Sequence, residues 1–452
     1  MSLQRLLVAN RGEIAVRIIR ACRALGIESV VAVSEVDRDS LPARLADRSV
    51  CIGPSRAAAS YLNSDALLAT ALGAGCDAVH PGYGFLAENP DFGAACERNG
   101  LVFVGPRPET VKTMGNKLTA REIAEQAGVP VVPGSSSVAT FGDAAAVVEA
   151  IGYPVLLKAA AGGGGRGIRI VHAPDELRGT FQSAAAEAEA AFGDGTLYAE
   201  RFIADGRHIE VQVFGDQQGN VIHLGERDCS LQRRYQKIVE EAPATLVPDA
   251  LRQEIRDSAV ALAAGIGYTN AGTVEFIYDQ QRREFHFLEM NTRIQVEHPV
   301  TEEITGIDLV QLQLRVAGGE PLGIEQSDVR FTGHAIECRI TAEQPSAGFR
   351  PSPGLITRWD PPEGPGVRLD THCFSGYRVP PFYDSLLAKL ITSGDDRTQA
   401  IERMQTALES FSVEGVDTGI TFLAGLMAHP DYRRGHVNTR WVEEQSGALQ
   451  SL

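Results

Sequence analysis

The chain has no long apolar run, no paired-cysteine motif and no surplus of basic residues. No stretch approaches the roughly 20 consecutive apolar residues that span a bilayer, so no membrane association is expected. The seven cysteines (Cys22, Cys51, Cys76, Cys96, Cys229, Cys338 and Cys373) are scattered, with no CxxC spacing. That speaks against a disulfide framework or a zinc site and for the reduced thiols of a cytoplasmic protein. No signal-peptide pattern accompanies Met1-Ser2-Leu3-Gln4, which lead straight into a strand-like run. Lysine and arginine number 42 against 58 aspartates and glutamates, a net charge of -16. An acidic surface argues against a general nucleic-acid or membrane-surface protein, yet a local basic pocket can still take an anion. What is present is an ordinary globular balance, 44% hydrophobic and 22% charged over 452 residues. That length suits roughly two to four domains.

Residues 5–110 alternate between strand and helix patterns. Leu6-Leu7-Val8-Ala9 reads as a strand, Asn10-Arg11-Gly12-Glu13 as a turn, and Ile14 to Leu25 as a helix. Ser29 to Ser34 is a second strand, Asp65 to Gly73 a helix, and Ala78-Val79 a strand ending in His80-Pro81-Gly82-Tyr83-Gly84. Such alternation predicts a parallel sheet covered by helices, with ligands at the strand C-termini, where the Asn10 and His80 loops fall. No GxGxxG follows the first strand, so no dinucleotide site is predicted. A helix is expected over 115–128, opening at Gly115-Asn116-Lys117.

Pro154 to Lys158 is a strand, Ile168 to Val171 its return, and Gly162-Gly163-Gly164-Gly165-Arg166-Gly167 lies between them. A Walker loop joins strand to helix and ends in GK[ST]; here a lysine precedes the glycines and a strand follows. Consecutive glycines let backbone N–H groups approach phosphate oxygens and suit a lid that excludes water. The same composition also fits a mobile surface loop, but Lys158 and Arg166 flank this one. Lys117, at a helix start, adds a second point charge.

The stretch Glu289 to Pro299 carries the most chemistry. Glu289, Asn291, Arg293, Gln295 and Glu297 alternate with Met290, Thr292, Ile294 and Val296. In an extended segment the five polar groups line one face, although an ordinary half-buried strand reads the same way. Upstream, Gly272–Tyr278 and Glu284–Glu289 flank a short polar stretch, which predicts a β-hairpin with Glu275 opposite Glu289. Facing carboxylates repel, so a cation such as Mg²⁺ is expected to neutralise them. Between Glu226 and Lys237 the chain packs a charge cluster, a solvated loop or else an anion site in which Lys237 and Arg293 converge. Glu337 and Arg339 share one strand face, as do His208 and Glu210; a surface ion pair is the plainer reading of each.

Taken together, Val8-Ala9-Asn10-Arg11-Gly12-Glu13-Ile14-Ala15, His80-Pro81-Gly82-Tyr83-Gly84-Phe85-Leu86, the Lys158 glycine loop, Glu226-Arg227-Asp228-Cys229-Ser230 and the Glu289 stretch resemble biotin carboxylase. The resemblance runs to about residue 445. It implies an ATP-grasp fold in three parts: a Rossmann-like N-terminal domain (1–114), an ATP-grasp domain (115–330) with a lid at about 131–204, and a C-terminal domain (331–445). It implies ATP-dependent carboxylation of biotin by bicarbonate through carboxyphosphate, with Mg²⁺ or Mn²⁺. Lys117, Lys158, Gly164, Gly165 and His208 would hold ATP phosphates, with Gln232 and Tyr235 also at the nucleotide. Glu200, Arg201 and Ile203 would form the adenine-side hinge. Glu275, Glu289 and Asn291 would bind metal; Lys237, Arg293, Gln295 and Val296 would cradle bicarbonate. Glu297 would be the general base, Arg339 would face the biotin ureido oxygen, and Tyr83 would lie near the biotin entrance.

Three positions depart from the family pattern. Arg201 stands where members carry Lys, Tyr235 where they carry His, and Ala24 where some place an acidic dimer contact. The first two touch nucleotide affinity and the third the interface of the implied homodimer. No Met-Lys-Met-like attachment segment occurs, so biotin is expected on a separate biotin carboxyl carrier protein, with a carboxyltransferase to finish the reaction. Acetyl-CoA is the expected final acceptor, which places the chain in fatty acid biosynthesis; propionyl-CoA and pyruvate are the alternatives. Two rival readings are another ATP-grasp ligase acting on an amine and a non-catalytic nucleotide-binding protein. The first is disfavoured by Arg339 and the His80 segment, the second by the full set Glu275, Glu289, Asn291 and Glu297.

Overall fold

The computed structural model describes residues 3–160 and 167–445. Its first layer follows from the βα alternation near the N-terminus. Strands β1 (Arg5–Val8), β2 (Glu28–Ser34), β3 (Arg48–Gly53), β4 (Ala78–His80) and β5 (Val102–Phe103) form a parallel sheet in the order β3-β2-β1-β4-β5. Helix α1 (Gly12–Leu25) leaves β1 and buries Ile14, Ile18 and Ile19 against it. The Asn10 amide donates to the carbonyls of Pro81 and Tyr83, 2.7 Å each, and so ties the two strand-end loops together. Gly82 sits at φ +63°, and a Cβ there would meet the Asn10 amide nitrogen at 2.9 Å, so only glycine fits.

The predicted helix over 115–128 is shorter: it runs Lys117–Gln126, capped by the Asn116 side chain on the Thr119 N–H. A separate helix, Pro108–Gly115, precedes it. The Asn116 backbone is extended, which breaks the pair, and the cap leaves Lys117 at a helix N-terminus.

A small antiparallel sheet, β6 (Val155–Ala159), β7 (Ile168–Val171) and β8 (Leu197–Arg201), has β6 in the middle. Helices Phe141–Ile151 and Pro174–Phe192 cover it, and it has its own apolar cluster around Val148, Leu157 and Leu177.

The largest element is an eight-stranded antiparallel sheet. Its order is β13 (Glu284–Asn291), β12 (Asn270–Asp279), β9 (Gly206–Gly215), β10 (Val221–Arg233), β11 (Gln236–Ala242) and β14 (His334–Thr341), then Leu386–Gly394 and Val367–Thr371. Helix Asp249–Gly265 packs an apolar stripe of Ile255, Ala259, Leu262 and Ala263 on one face. His208, Gln232, Lys237, Glu275, Glu289, Asn291 and Arg339 of the site project from the strands of this sheet.

Candidate active site

The β12–β13 hairpin sets the site's register. Asp279 pairs with Glu284, and an unbroken ladder from there would put Glu275 opposite Leu288. A bulge between the Glu275 and Phe276 pairs inserts one residue, so Glu275 faces Glu289, as the hairpin predicts. The extended alternation stops at Asn291, where β13 ends; residues 292–297 are a loop and Glu297 caps the helix His298–Thr305. All five polar residues of the stretch nonetheless line one cleft of about 540 Å³. The cleft is also walled by Tyr83, Lys117, Lys158, His208, Gln232, Tyr235, Lys237, Val296 and Arg339. Glu200, Arg201 and Ile203 do not line it. Glu200 instead underlies it, pairing with Lys158 and, at 3.1 Å, with Arg121. Arg201 turns to the His286 ring nitrogen at 3.1 Å. Gly164 and Gly165 lie outside the described residues.

A second concavity of about 480 Å³ lies at Arg17, Glu302 and Arg368. Its carboxylates already pair with Arg17 and Arg368, and no predicted site residue lines it.

Cations of the protein itself also stand beside Glu275 and Glu289. Glu275 accepts from Lys237 at 2.8 Å and from Gln295 at 3.1 Å through one oxygen, and its other oxygen is 3.2 Å from the His208 ring. Burial alone would raise this carboxyl, but Lys237 and His208 bring it down to about 2. His208 responds in kind: burial lowers it, and Glu275 lifts it to about 9. Glu289 is different, 39% exposed and 3.5 Å from Lys117.

Behind Glu275 lies a buried charge lattice. The Arg227 side chain is fully buried and donates to Glu210 at 2.6 Å, Gln212 at 2.9 Å, Thr301 at 3.0 Å and Thr273 at 3.2 Å. Lys237 joins Glu210, Glu275 and, at 2.7 Å, Glu297. His208, Glu210 and Glu275 bring ligand atoms within 4.8 Å of one another. Lys237 sits within that cluster, pairing with both Glu210 and Glu275. Lys237 and Arg293 share the cleft wall but not one partner: Arg293 holds Glu88 at 2.9 Å, Gln295 at 2.7 Å and Asn291 at 3.0 Å.

Arg339 does not form the surface ion pair with Glu337. It binds Glu240 at 2.6 Å and Glu297 at 3.0 Å. Glu337 is fully buried with neither oxygen hydrogen-bonded, and burial pushes its carboxyl well above the usual range, Glu240 adding to the rise. Tyr83 donates to Glu13, and burial together with Glu13 raises its phenol well above 10. Glu13, Glu88, Glu210, Arg227 and Glu240 join the site without having been expected there. Glu210 has a local signal in its i, i+2 spacing from His208, Arg227 in the 226–237 charge cluster and Glu13 in the turn after the first strand, while Glu88 and Glu240 have none.

Residues 116–325 match the family model "Carbamoyl-phosphate synthase L chain, ATP binding domain". The small sheet brings Lys158 and Tyr198 to a cleft of lysines and carboxylates, and the protein is an ATP-dependent ligase. Residues 2–111 match the "Biotin carboxylase, N-terminal domain" and 337–444 the "Biotin carboxylase C-terminal domain". Biotin carboxylase 1 of Bacillus subtilis is 51% identical over 98% of each chain. A pyruvate carboxylase subunit from Methanothermobacter thermautotrophicus is 50% identical over 97% of this chain and 89% of that one. Among solved structures, a biotin carboxylase–β,γ-ATP complex from Campylobacter jejuni superposes with a TM-score of 0.95 at 45% identity, covering 98% of this chain and 99% of that one. The biotin carboxylase domain dimer of Hydrogenobacter thermophilus 2-oxoglutarate carboxylase, with MgADP, ADP and bicarbonate, gives 0.95 at 47% identity and 99% of each chain. The chain belongs to the biotin carboxylase family.

Proposed function

We propose that this chain carboxylates biotin on a separate carrier protein, using ATP and bicarbonate, as the first half-reaction of an acetyl-CoA carboxylase. The observation that supports this best is Glu297: fully buried, ion-paired to Lys237 and Arg339, at the wall of a cleft that also carries Lys117 and Lys158. A carboxylate held in place by two cations is oriented to take the bicarbonate proton as general base. Lys237, Arg293, Gln295 and Val296 fix the anion; Lys117, Lys158 and His208 face the ATP phosphates, with Gln232 and Tyr235 beside the nucleotide and Glu200, Arg201 and Ile203 at its hinge. Gly164 and Gly165, by their place in the sequence, belong to the same phosphate-holding set.

Glu275, Glu289 and Asn291 offer oxygen donors only, which fits Mg²⁺ or Mn²⁺. Such an ion neutralises charge on the transferring phosphoryl group. Positioning and electrostatics from Lys117 and Lys158 supply the remainder. Carboxyphosphate then releases CO₂ beside biotin, at Tyr83. The freed phosphate takes the ureido proton, and Arg339 stabilises the enolate-like oxygen. Arg339→Ala should keep a trace of bicarbonate-dependent ADP formation and lose carboxybiotin; a normal carboxybiotin yield overturns the role.

The final acceptor rests with a carboxyltransferase partner. The pyruvate carboxylase relative supports pyruvate as a second reading. Isolating the native complex and comparing acetyl-CoA with pyruvate as acceptors decides between them. The reading also places the enzyme in the cytoplasm, as a homodimer whose interface differs at Ala24; no helix among the described residues is long and apolar enough to cross a membrane.

A further inference from the structure

Lys389 is a cation that the proposed chemistry does not use. It sits in Leu386-Leu387-Ala388-Lys389-Leu390-Ile391, an apolar strand, and is fully buried. A buried ammonium is costly unless fully partnered. Lys389 donates to the Val296 carbonyl at 2.9 Å, lies 3.2 Å from a Glu13 carboxylate oxygen, and is 3.9 Å from Asp370. The Glu13 contact is a charge contact rather than a well-angled hydrogen bond, since that oxygen has no hydrogen-bond partner by geometry. The other Glu13 oxygen accepts from the Tyr83 hydroxyl, whose ring lines the cleft.

The loop that Lys389 touches is held by its carbonyls in succession. Ile294 accepts from Arg293 at 3.2 Å, Gln295 from the His298 ring at 2.8 Å, and Val296 from Lys389. A carbonyl only accepts, so His298 carries its proton on Nδ1. Of these three donors, Lys389 alone comes from outside the loop and its helix. Glu13, Val296 and Lys389 fall in the three separately matched family segments. Tyr83, Glu13, Lys389 and Val296 therefore form one polar chain through the interior, from the cleft wall to the backbone beside Glu297.

We propose that Lys389 is a positioning residue for carboxylation: anchored by Glu13, it fixes the Val296 carbonyl and so the placement of Val296 and Glu297 at bicarbonate, and it ties that placement to Tyr83. The inference rests on the reading that Val296 and Glu297 serve bicarbonate. Losing the anchor shifts the loop, and a misplacement of about 1 Å costs on the order of 100-fold. ATP contacts lie elsewhere in the cleft and are untouched.

The test is steady-state ADP formation by the full chain, with KM for bicarbonate and for ATP measured separately. Lys389→Met strands Glu13, whereas Asp370 keeps Arg368 at 2.9 Å, so its partner is the double variant Lys389→Met with Glu13→Gln, which removes both charges at nearly constant volume. The double variant should keep its unfolding midpoint and its KM for ATP within about twofold, while KM for bicarbonate rises about tenfold or more. Lys389→Arg should recover part of the loss, and Tyr83→Phe should raise KM for bicarbonate less, non-additively with Glu13→Gln. A folded double variant with the unmodified KM for bicarbonate overturns the inference and leaves the proposed function standing. An unmodified chain without bicarbonate-dependent ADP formation overturns the proposed function, and the inference with it.

Discussion

Glu275 and Glu289 face each other across one hairpin and live in opposite circumstances. Glu275 is buried, and each of its oxygens already has a cationic or amide partner from this chain. Glu289 is 39% exposed and has Lys117 at 3.5 Å. The contrast extends outward. On the Glu275 side, Arg227, Glu210, Lys237 and Glu297 form a lattice completed within the protein. On the Glu289 side the pairing is looser, a single half-exposed contact with Lys117 at 3.5 Å. The Glu275 side is thus preorganised within the protein, and under the proposed function it is the bicarbonate end, with the nucleotide completing the Glu289 side. Fixed dipoles and charges act most strongly where they need not rearrange during reaction.

The sharpest way to break that comparison is at the closed side. Glu297→Gln should lower bicarbonate-dependent ADP formation by about 10²–10⁴-fold, the span of a lost general base. Retained turnover would mean that another group takes the proton. Next in size is Arg227→Met, which leaves the buried Glu210 short of a partner. Breaking such a pair costs about 3–5 kcal/mol, so urea unfolding should register a loss of that order. A loss under about 1 kcal/mol would show that the lattice is looser than its geometry.

On the open side, Glu289→Gln should shift unfolding stability by less than about 0.5 kcal/mol, as surface changes do. Its signature is a higher Mg²⁺ requirement, read by titrating the metal against ADP formation. Equal Mg²⁺ dependence in both proteins would remove Glu289 from the metal set. The smallest effect is a pH slope from the closed side. Burial raises the Glu240 carboxyl to about 7, Glu297 adding and Arg339 opposing. The folded state therefore holds this proton more tightly than the unfolded chain, whose carboxyl titrates near 4.5. Glu240 contributes stability that is full below about pH 4.5 and is lost as pH rises through about 7. Arg339 keeps Glu297 as a partner throughout, so the slope is shallow. Glu240→Gln should flatten it; an unchanged slope assigns the proton to another group.

Much of the site was legible because it is local in sequence. The 272–291 hairpin, the lysine before the glycines and the alternating Glu289 stretch each show a period or a spacing. The bulge at Leu288 had no such mark, yet it decides which residue Glu275 faces. Glu88, Glu210 and Glu240 reach the site through contacts 27 to 205 residues away, set by sheet order for Glu210 and Glu240 and by the approach of two loops for Glu88. Lys389 carried a readable signal after all, a lone lysine inside an apolar strand. Such a residue is buried with partners or not in a strand at all. The two-sided sharing of Glu297 between Lys237 and Arg339 was invisible for the opposite reason: each residue lies on a different element, and no pattern within one of them records the other two.

The eight-stranded sheet carries a consequence for how this enzyme can be divided. Strand β11 bonds to β14 over four residue pairs, Val239–Cys338 to Ala242–Ala335, across the sequence boundary near residue 331. A polypeptide severed there would leave two raw strand edges, each open to pairing with any neighbour. The C-terminal quarter is therefore bound into the same sheet as the ATP-binding segment and is no detachable module. It is the far wing of a single woven panel.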